Sequence, residues 1–346
     1  MKKNLMKKYI ISLLVLWVVV ASACTSRENE SGNPAPEPVV LAYVTAWSNI
    51  MPDTDWVTHI NYAFGHVNDT FNGIRIDNEE RLRSIVLLRK QKPSLKIMLS
   101  IGGWGSGGFS EMAADETGRK AFAADCRRVV EVFGLDGIDM DWEYPTSSQS
   151  GISSTPHDMD NFTLLMRDIR EAIGSEKLLT FASAANAHYV DFKAVDPYVD
   201  FVNIMTYDMA NPPFHHAALH RSPLVKQLSA DEAVEAHIRA GIPAERLTLG
   251  IPFYGRGGGE LPDFIDYREI IELTDYQTQW DEEAMVPYLT DADGQFVCTF
   301  ETARSIALKC LFLKEKGMLG AMYWDYNGDD AEGTLRKAVY HGVMSE

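Results

Sequence analysis

The sequence predicts an α/β chain folded as a closed (β/α)8 (TIM) barrel, and three observations carry that expectation. Eight short β-rich runs alternate with amphipathic helical runs from residue 39 onward. No Gly-rich phosphate loop follows the first run, which reads Tyr43-Val44-Thr45-Ala46-Trp47, and this sets aside an open doubly wound sheet. The fourth run carries acids at alternate positions, and barrels of this kind place their reactive groups at the C-terminal ends of strands.

In chain order the expected strands are Val39–Tyr43, His59–Gly65, Lys96–Ile101, Gly137–Glu143, Leu178–Ala184, Phe201–Tyr207, Leu247–Ile251 and Gly320–Trp324. Helical periodicity marks Asn78–Lys90, Arg119–Phe133, Met159–Ile173, Ala230–Ala240 and Thr302–Lys316. Ser229-Ala230-Asp231-Glu232 has the form of a capping box and fixes the start of one of them. Between the seventh and eighth strands the chain runs from Gly255 to Met318, about twice the length of its neighbours. Residues 255–297, with Tyr267, Tyr276, Trp280 and Tyr288, are expected to form a small α+β insertion with Trp280 in its core.

The 346 residues, 46% hydrophobic and 10% aromatic, suffice for a large buried core. Residues 1–23 read as a secretion signal: Lys2, Lys3, Lys7 and Lys8, the apolar run Tyr9 to Val20, then Ala21-Ser22-Ala23 before Cys24. That order resembles a bacterial lipobox, which implies lipidation of Cys24. Residues 24–38 are polar and Pro-containing and read as a flexible tether, with the barrel occupying 39–346. Arg27-Glu28-Asn29-Glu30 resembles acidic sorting signals, so an exported, lipid-anchored protein of the outer membrane, on its surface or periplasmic face, is expected. Loss of the four signal lysines takes the formal charge from −17 to −21, which argues against nucleic acid as a partner. A monomer is expected. Cys126, Cys298 and Cys310 form no metal-ligand spacing and read as buried, inert side chains, although a Cys298–Cys310 disulfide is compatible with the sequence.

The fourth run, Asp136-Gly137-Ile138-Asp139-Met140-Asp141-Trp142-Glu143, sends Asp139, Asp141 and Glu143 to one face, about 6–7 Å apart per step. Like charges so close cannot all ionise, and a carboxyl with a raised pKa is what general-acid catalysis at neutral pH requires. Ile138, Met140 and Trp142 on the other face back that strand with apolar surface. Asp136 has the opposite parity and is expected to brace the start of the strand.

Six segments in register resemble family 18 glycoside hydrolases, the chitinase family. Asp136 to Glu143 matches the DxxDxDxE signature. His59-Ile60-Asn61-Tyr62-Ala63-Phe64 is similar to the second strand, and Ser100-Ile101-Gly102-Gly103-Trp104 to the third. Met205-Thr206-Tyr207-Asp208 resembles the sixth, Gly250 to Arg256 the seventh, and Gly320 to Trp324 the eighth. The resemblance implies that Glu143 protonates the glycosidic oxygen. It also implies that the nucleophile is the substrate's own 2-acetamido oxygen, as in the substrate-assisted exceptions to the two-carboxylate plan. Asp141 would then accept the acetamide N–H, Asp139 would share charge or a proton with Asp141, and Tyr207 would donate to the acetamide oxygen. Trp324 would floor the sugar site.

Around these, Tyr43, Ser100 and Asp208 either support the acids or satisfy buried polar neighbours. Met205 shares the sixth-strand motif. Tyr254 and Arg256 stand where sugar hydroxyls would bind, and Trp47, Trp104 and Tyr144 offer stacking faces for successive sugars. Gly102 and Gly103 permit close backbone approach. His216 and His220, four apart beside His215, invite a zinc reading, but Pro212-Pro213 interrupts any helix there and no acid completes the set; neither metal nor cofactor is expected. The substrate implied is an N-acetylglucosamine glycan, chitin or chito-oligosaccharide, with the core of N-glycans as the alternative and a catalytically silent sugar-binding barrel as the distant one. The segment Trp280 to Tyr288 resembles the family's inserted subdomain, which favours chitin, and its short length leaves the groove more open.

Overall fold

The computed structural model describes residues 37–345; the expected signal, Cys24 and nearly all of the tether lie outside these residues. Eight parallel strands close on themselves: Val39–Thr45 (β1), His59–Val67 (β2), Lys96–Gly102 (β3), Gly137–Asp141 (β4), Leu178–Ala184 (β5), Phe201–Met205 (β6), Leu247–Pro252 (β7) and Gly320–Trp324 (β8). Each pairs with its neighbour in this order, and β1 closes the ring by pairing with both β2 and β8. The expected closed barrel is therefore the one observed.

Two apolar layers follow from strand alternation. Outward side chains such as Ile138, Met140 and Trp142 join the helices in one large core, where Trp142 stacks on Phe109 at 5.3 Å. Truncating so buried an aromatic to alanine typically costs about 3–5 kcal/mol. Inward side chains Val39, Leu41, Met98, Phe201 and Met322 plug the lower barrel. Above that plug the inward positions turn polar: Asn61, Ser100, Asp139, Thr180, Asn203 and Thr248 are all fully buried.

Helices Glu79–Val86, Glu116–Phe133, Asp158–Ile173, Ala230–Ala240, Ala303–Glu315 and Thr334–Met344 surround the strands. The capping box at Ser229 and Glu232 is formed. Two crossovers depart from the simple alternation. Between β1 and β2 there is only a single 3-10 turn, Thr54–Trp56, because Pro52 and the absence of apolar periodicity leave no helix to build there. Between β5 and β6 the helix is four residues long, Phe192–Val195.

After β7 the chain leaves the barrel into a five-stranded antiparallel sheet, ordered Phe264–Asp266, Tyr254–Gly257, Phe296–Thr299, Val286–Thr290 and Gln277–Asp281. The sheet therefore runs slightly beyond the expected 255–297. Trp280 is not in its core. It is half-buried, with the Arg304 guanidinium 3.7 Å above its ring and its indole N–H donating to Glu282. Cys126, Cys298 and Cys310 are buried free thiols, so the disulfide compatible with the sequence is not formed.

Candidate active site

The register of the barrel assembles the site. Ser100 of β3 lies opposite Asp139 of β4, which lies opposite Thr180 of β5. Asp139 Oδ2 accepts from the hydroxyls of Tyr43 and Ser100, both at 2.8 Å, while Oδ1 accepts from Thr180 at 2.6 Å and from the Asn203 amide at 3.1 Å. Burial pushes this carboxyl up, and the four donors pull against that. All four donors favour the charged form, while burial, the larger effect, favours the neutral one. Both of its oxygens are engaged by these donors, and its charge acts on the neighbouring Asp141.

Asp141, the next inward residue, is buried and its Oδ1 has no partner in the protein. Burial raises its carboxyl well above the ordinary range, and the charges of Glu143 and Asp139 raise it further. Its carbonyl is better served, accepting the Gly103 N–H at 2.9 Å. That approach requires glycine one residue earlier: Gly102 has φ +131°, and a Cβ there would stand 1.9 Å from the Asp141 carbonyl oxygen.

Glu143 sits just past the end of β4, which stops at Asp141 and not at Glu143. Its carboxyl is pushed up to about 7, chiefly by burial, with a donation from the Tyr144 hydroxyl lowering it and the charge of Asp208 raising it. A carboxylic acid poised there remains substantially protonated near neutral pH and can release its proton to a leaving group. The three acids have distinct environments: one pinned by four donors, one buried with an unpartnered oxygen, one poised to titrate.

A cleft of about 700 Å³ opens above them, within the range of small-ligand sites. Tyr43, Trp104, Asp141, Glu143, Tyr144, Met205, Tyr207, Asp208, Tyr254, Arg256 and Trp324 all line it, so the structure brings together nearly every residue singled out from the sequence. Trp324 forms the floor, stacked on Phe64 at 5.5 Å. Burial raises the Tyr207 hydroxyl strongly, and the nearby acids, Asp141 foremost, raise it further, so it remains a donor. Trp47 and Trp104 stand 62% and 61% exposed on the rim of an adjoining groove. So much open aromatic surface is what sugar rings stack upon.

The structure adds detail to several of these expectations. Ser100 acts through Asp139 and does not line the cleft. Tyr144 has one ring face covered by Tyr189 at 4.8 Å and its hydroxyl turned to Glu143, so only its other face remains for stacking. Arg256, which lines the cleft, is also engaged by Asp208 at 2.7 Å through Nε and Asp263 at 2.9 Å through Nη1, so it braces the wall as well. The three histidines part company: His215 pairs with Asp281 at 3.2 Å, His216 with Asp208 at 3.4 Å and His220 with Asp231 at 2.7 Å. Asp136 braces the barrel at its far end, accepting the Ile97 N–H at 2.8 Å and pairing with Arg89.

Thr180 and Asn203 were not singled out beforehand. Their signal was legible, since each is a lone polar residue at an inward position of an apolar strand. Asn186, Tyr189 and Phe264 of the cleft wall come from loops and the insert, where no periodicity marks them.

A parallel barrel with buried acids at the C-terminal end of its fourth strand, beneath an aromatic-rimmed groove, has the arrangement of a barrel enzyme that works by acid catalysis. Residues 39–329 match Glycosyl hydrolases family 18. The chain is 34% identical to chitinase A1 of Niallia circulans over 70% of its own length, and spans 42% of that protein. It is 28% identical to the probable chitinase 2 of Drosophila melanogaster, over 94% of this chain and 79% of that one. A family 18 N-acetylglucosaminidase from Paenibacillus barengoltzii superposes with a TM-score of 0.81 at 34% identity, covering 88% of this chain and all of that one. The chain belongs to glycoside hydrolase family 18 and is a chitinase-like glycoside hydrolase.

Proposed function

We propose that the protein hydrolyses β-1,4 bonds after N-acetylglucosamine in chitin or chito-oligosaccharides, with retention of configuration. The observation that carries this reading is the pairing of a Glu143 carboxyl pushed up to about 7 with an adjacent buried Asp141 whose Oδ1 has no protein partner. Glu143 gives its proton to the glycosidic oxygen as the substrate's acetamide oxygen closes onto the anomeric carbon, forming an oxazolinium ion. The acetamide N–H supplies the donor that Asp141 lacks, and Asp139 beneath it keeps the local field negative as positive charge develops. Tyr207 donates to the acetamide oxygen and Trp324 covers the sugar and its methyl. Water, deprotonated by Glu143, then opens the intermediate from the original face.

The test is turnover of chitotriose by wild type and Glu143→Gln, with the 2-hydroxy analogue and an intact N-glycan offered in parallel. Loss of turnover in the variant and refusal of the 2-hydroxy analogue are expected. Efficient cleavage of that analogue overturns substrate assistance, and binding without wild-type turnover makes the chain a lectin. Preference for the N-glycan makes it an endo-β-N-acetylglucosaminidase. The Paenibacillus likeness adds a second reading, release of single N-acetylglucosamine units, which the ratio of monomer to dimer among the products decides.

The N-terminal pattern supports export and anchoring through Cys24 to the outer membrane. Palmitate labelling that survives Cys24→Ala overturns that part.

A further inference from the structure

Behind the wall of the cleft lies a line of buried charged groups that the proposed reaction does not use. Lys309, on the helix Ala303–Glu315, is fully buried; it pairs with Glu301 and donates to the Ala217 carbonyl at 2.6 Å. Glu301 is equally buried, and its Oε2 has no protein partner. His216 is buried too, with an unpartnered Nε2. Its Nδ1 stands 3.4 Å from both the backbone nitrogen and Oδ1 of Asp208. Backbone bonds fix this contact: the Met209 N–H donates to the His216 carbonyl at 3.0 Å, and the His216 N–H donates to Thr299 Oγ1 at 3.3 Å. Arg256 Nε donates to the same Oδ1 of Asp208 at 2.7 Å.

We infer that His216 is a positioning residue for the glycosidase reaction: anchored through its backbone N–H by Thr299, with the buried Glu301–Lys309 pair behind it, it fixes the Asp208 carboxylate on the cleft wall that faces Glu143. The groups facing its ring are Asp208 and Arg256 from the cleft side, Glu301 with Lys309 behind it from the subdomain edge, His215 beside it, and the Tyr254 ring at 5.4 Å. Burial outweighs the two acids and favours the neutral imidazole, which holds Asp208 by hydrogen bond and contact. Asp208 needs that hold. Its backbone sits at φ +58°, a conformation uncommon outside glycine, and 40% of its side chain is open to solvent. Released into water, its charge would be screened from Glu143.

The inference rests on Glu143 being the acid, and the pH dependence of kcat/KM on chitotriose separates the two ideas. The position of the alkaline limb does not depend on how much of a variant folds, so a poorly folding variant loses amplitude alone. Asp208→Asn removes a negative charge near Glu143 and should lower the limb by about half a pH unit or more. His216→Gln, whose amide reaches the position of Nε2 but not Nδ1, should lower it in the same direction. His216→Asn, whose amide overlays Nδ1, should leave it within about 0.2 unit of wild type. Equal limbs for the Asn and Gln variants, whether both shifted or both unshifted, overturn the positioning role. A wild-type profile without an alkaline limb breaks the assignment of Glu143 as well.

Discussion

The two ends of the barrel use the same residue types to opposite effect. At the N-terminal end two aspartates at strand starts each find a cation and a backbone donor. Asp136, before β4, accepts the Ile97 N–H of β3 and pairs with Arg89. Asp200, before β6, accepts the Leu179 N–H of β5 at 2.7 Å and pairs with Arg170 at 2.6 Å. The clip repeats two strands further on, with the aspartate, the preceding strand and an arginine in the same relation. At the C-terminal end no cation pairs with Asp139, Asp141 or Glu143, and burial raises all three. A satisfied carboxylate stabilises; a crowded, unpartnered one stores reactivity at a cost in stability.

The comparison breaks first if Glu143→Gln retains activity. A loss of at least about 1000-fold in kcat is expected, with the fold intact by circular dichroism. Asp141→Asn should follow, lowering kcat by about 100-fold while KM for chitotriose changes far less, since its carboxylate acts on developing charge. The third prediction concerns stability. Glu143 has a folded-state pKa above its unfolded value, so its contribution to stability is complete below about pH 4.5 and is lost as pH rises through about 7. Glu143→Gln should therefore unfold at higher urea than wild type at pH 8, by on the order of 2 kcal/mol, and no such gain should appear at pH 4.5. Equal gains at both values would remove the idea of stored reactivity. The smallest effect belongs to the other end: Asp136→Asn should cost about 1–2 kcal/mol in urea unfolding while kcat/KM stays within about twofold.

How much of this was legible in the sequence follows from the range of the interactions. The alternation of Asp139, Asp141 and Glu143 is local, and strand geometry translates it directly into a shared face. The roles of Ser100 and Tyr43 needed the register between strands, yet their inward parity already pointed at the right neighbours. The line from Asp208 through His216 to Glu301 and Lys309 joins residues up to about a hundred positions apart with no common period, so no pattern in the chain announces it. Trp280 misled because aromatic content argues for burial, whereas a cation lying flat on the ring allows it to remain half-exposed.

The inserted sheet leaves and rejoins the barrel at neighbouring points: Tyr254–Gly257 pairs directly with Phe296–Thr299, Arg256 opposite Thr299 and Gly257 opposite Cys298. Chain added or removed beyond that root changes the loop-closure entropy only slowly and leaves barrel closure untouched. The height of one wall of the groove is thus a separately adjustable dimension, free to drift between substrates of different girth. Its foot at Arg256 and Thr299 cannot drift so freely, because the same two residues hold Asp208 and His216 in place.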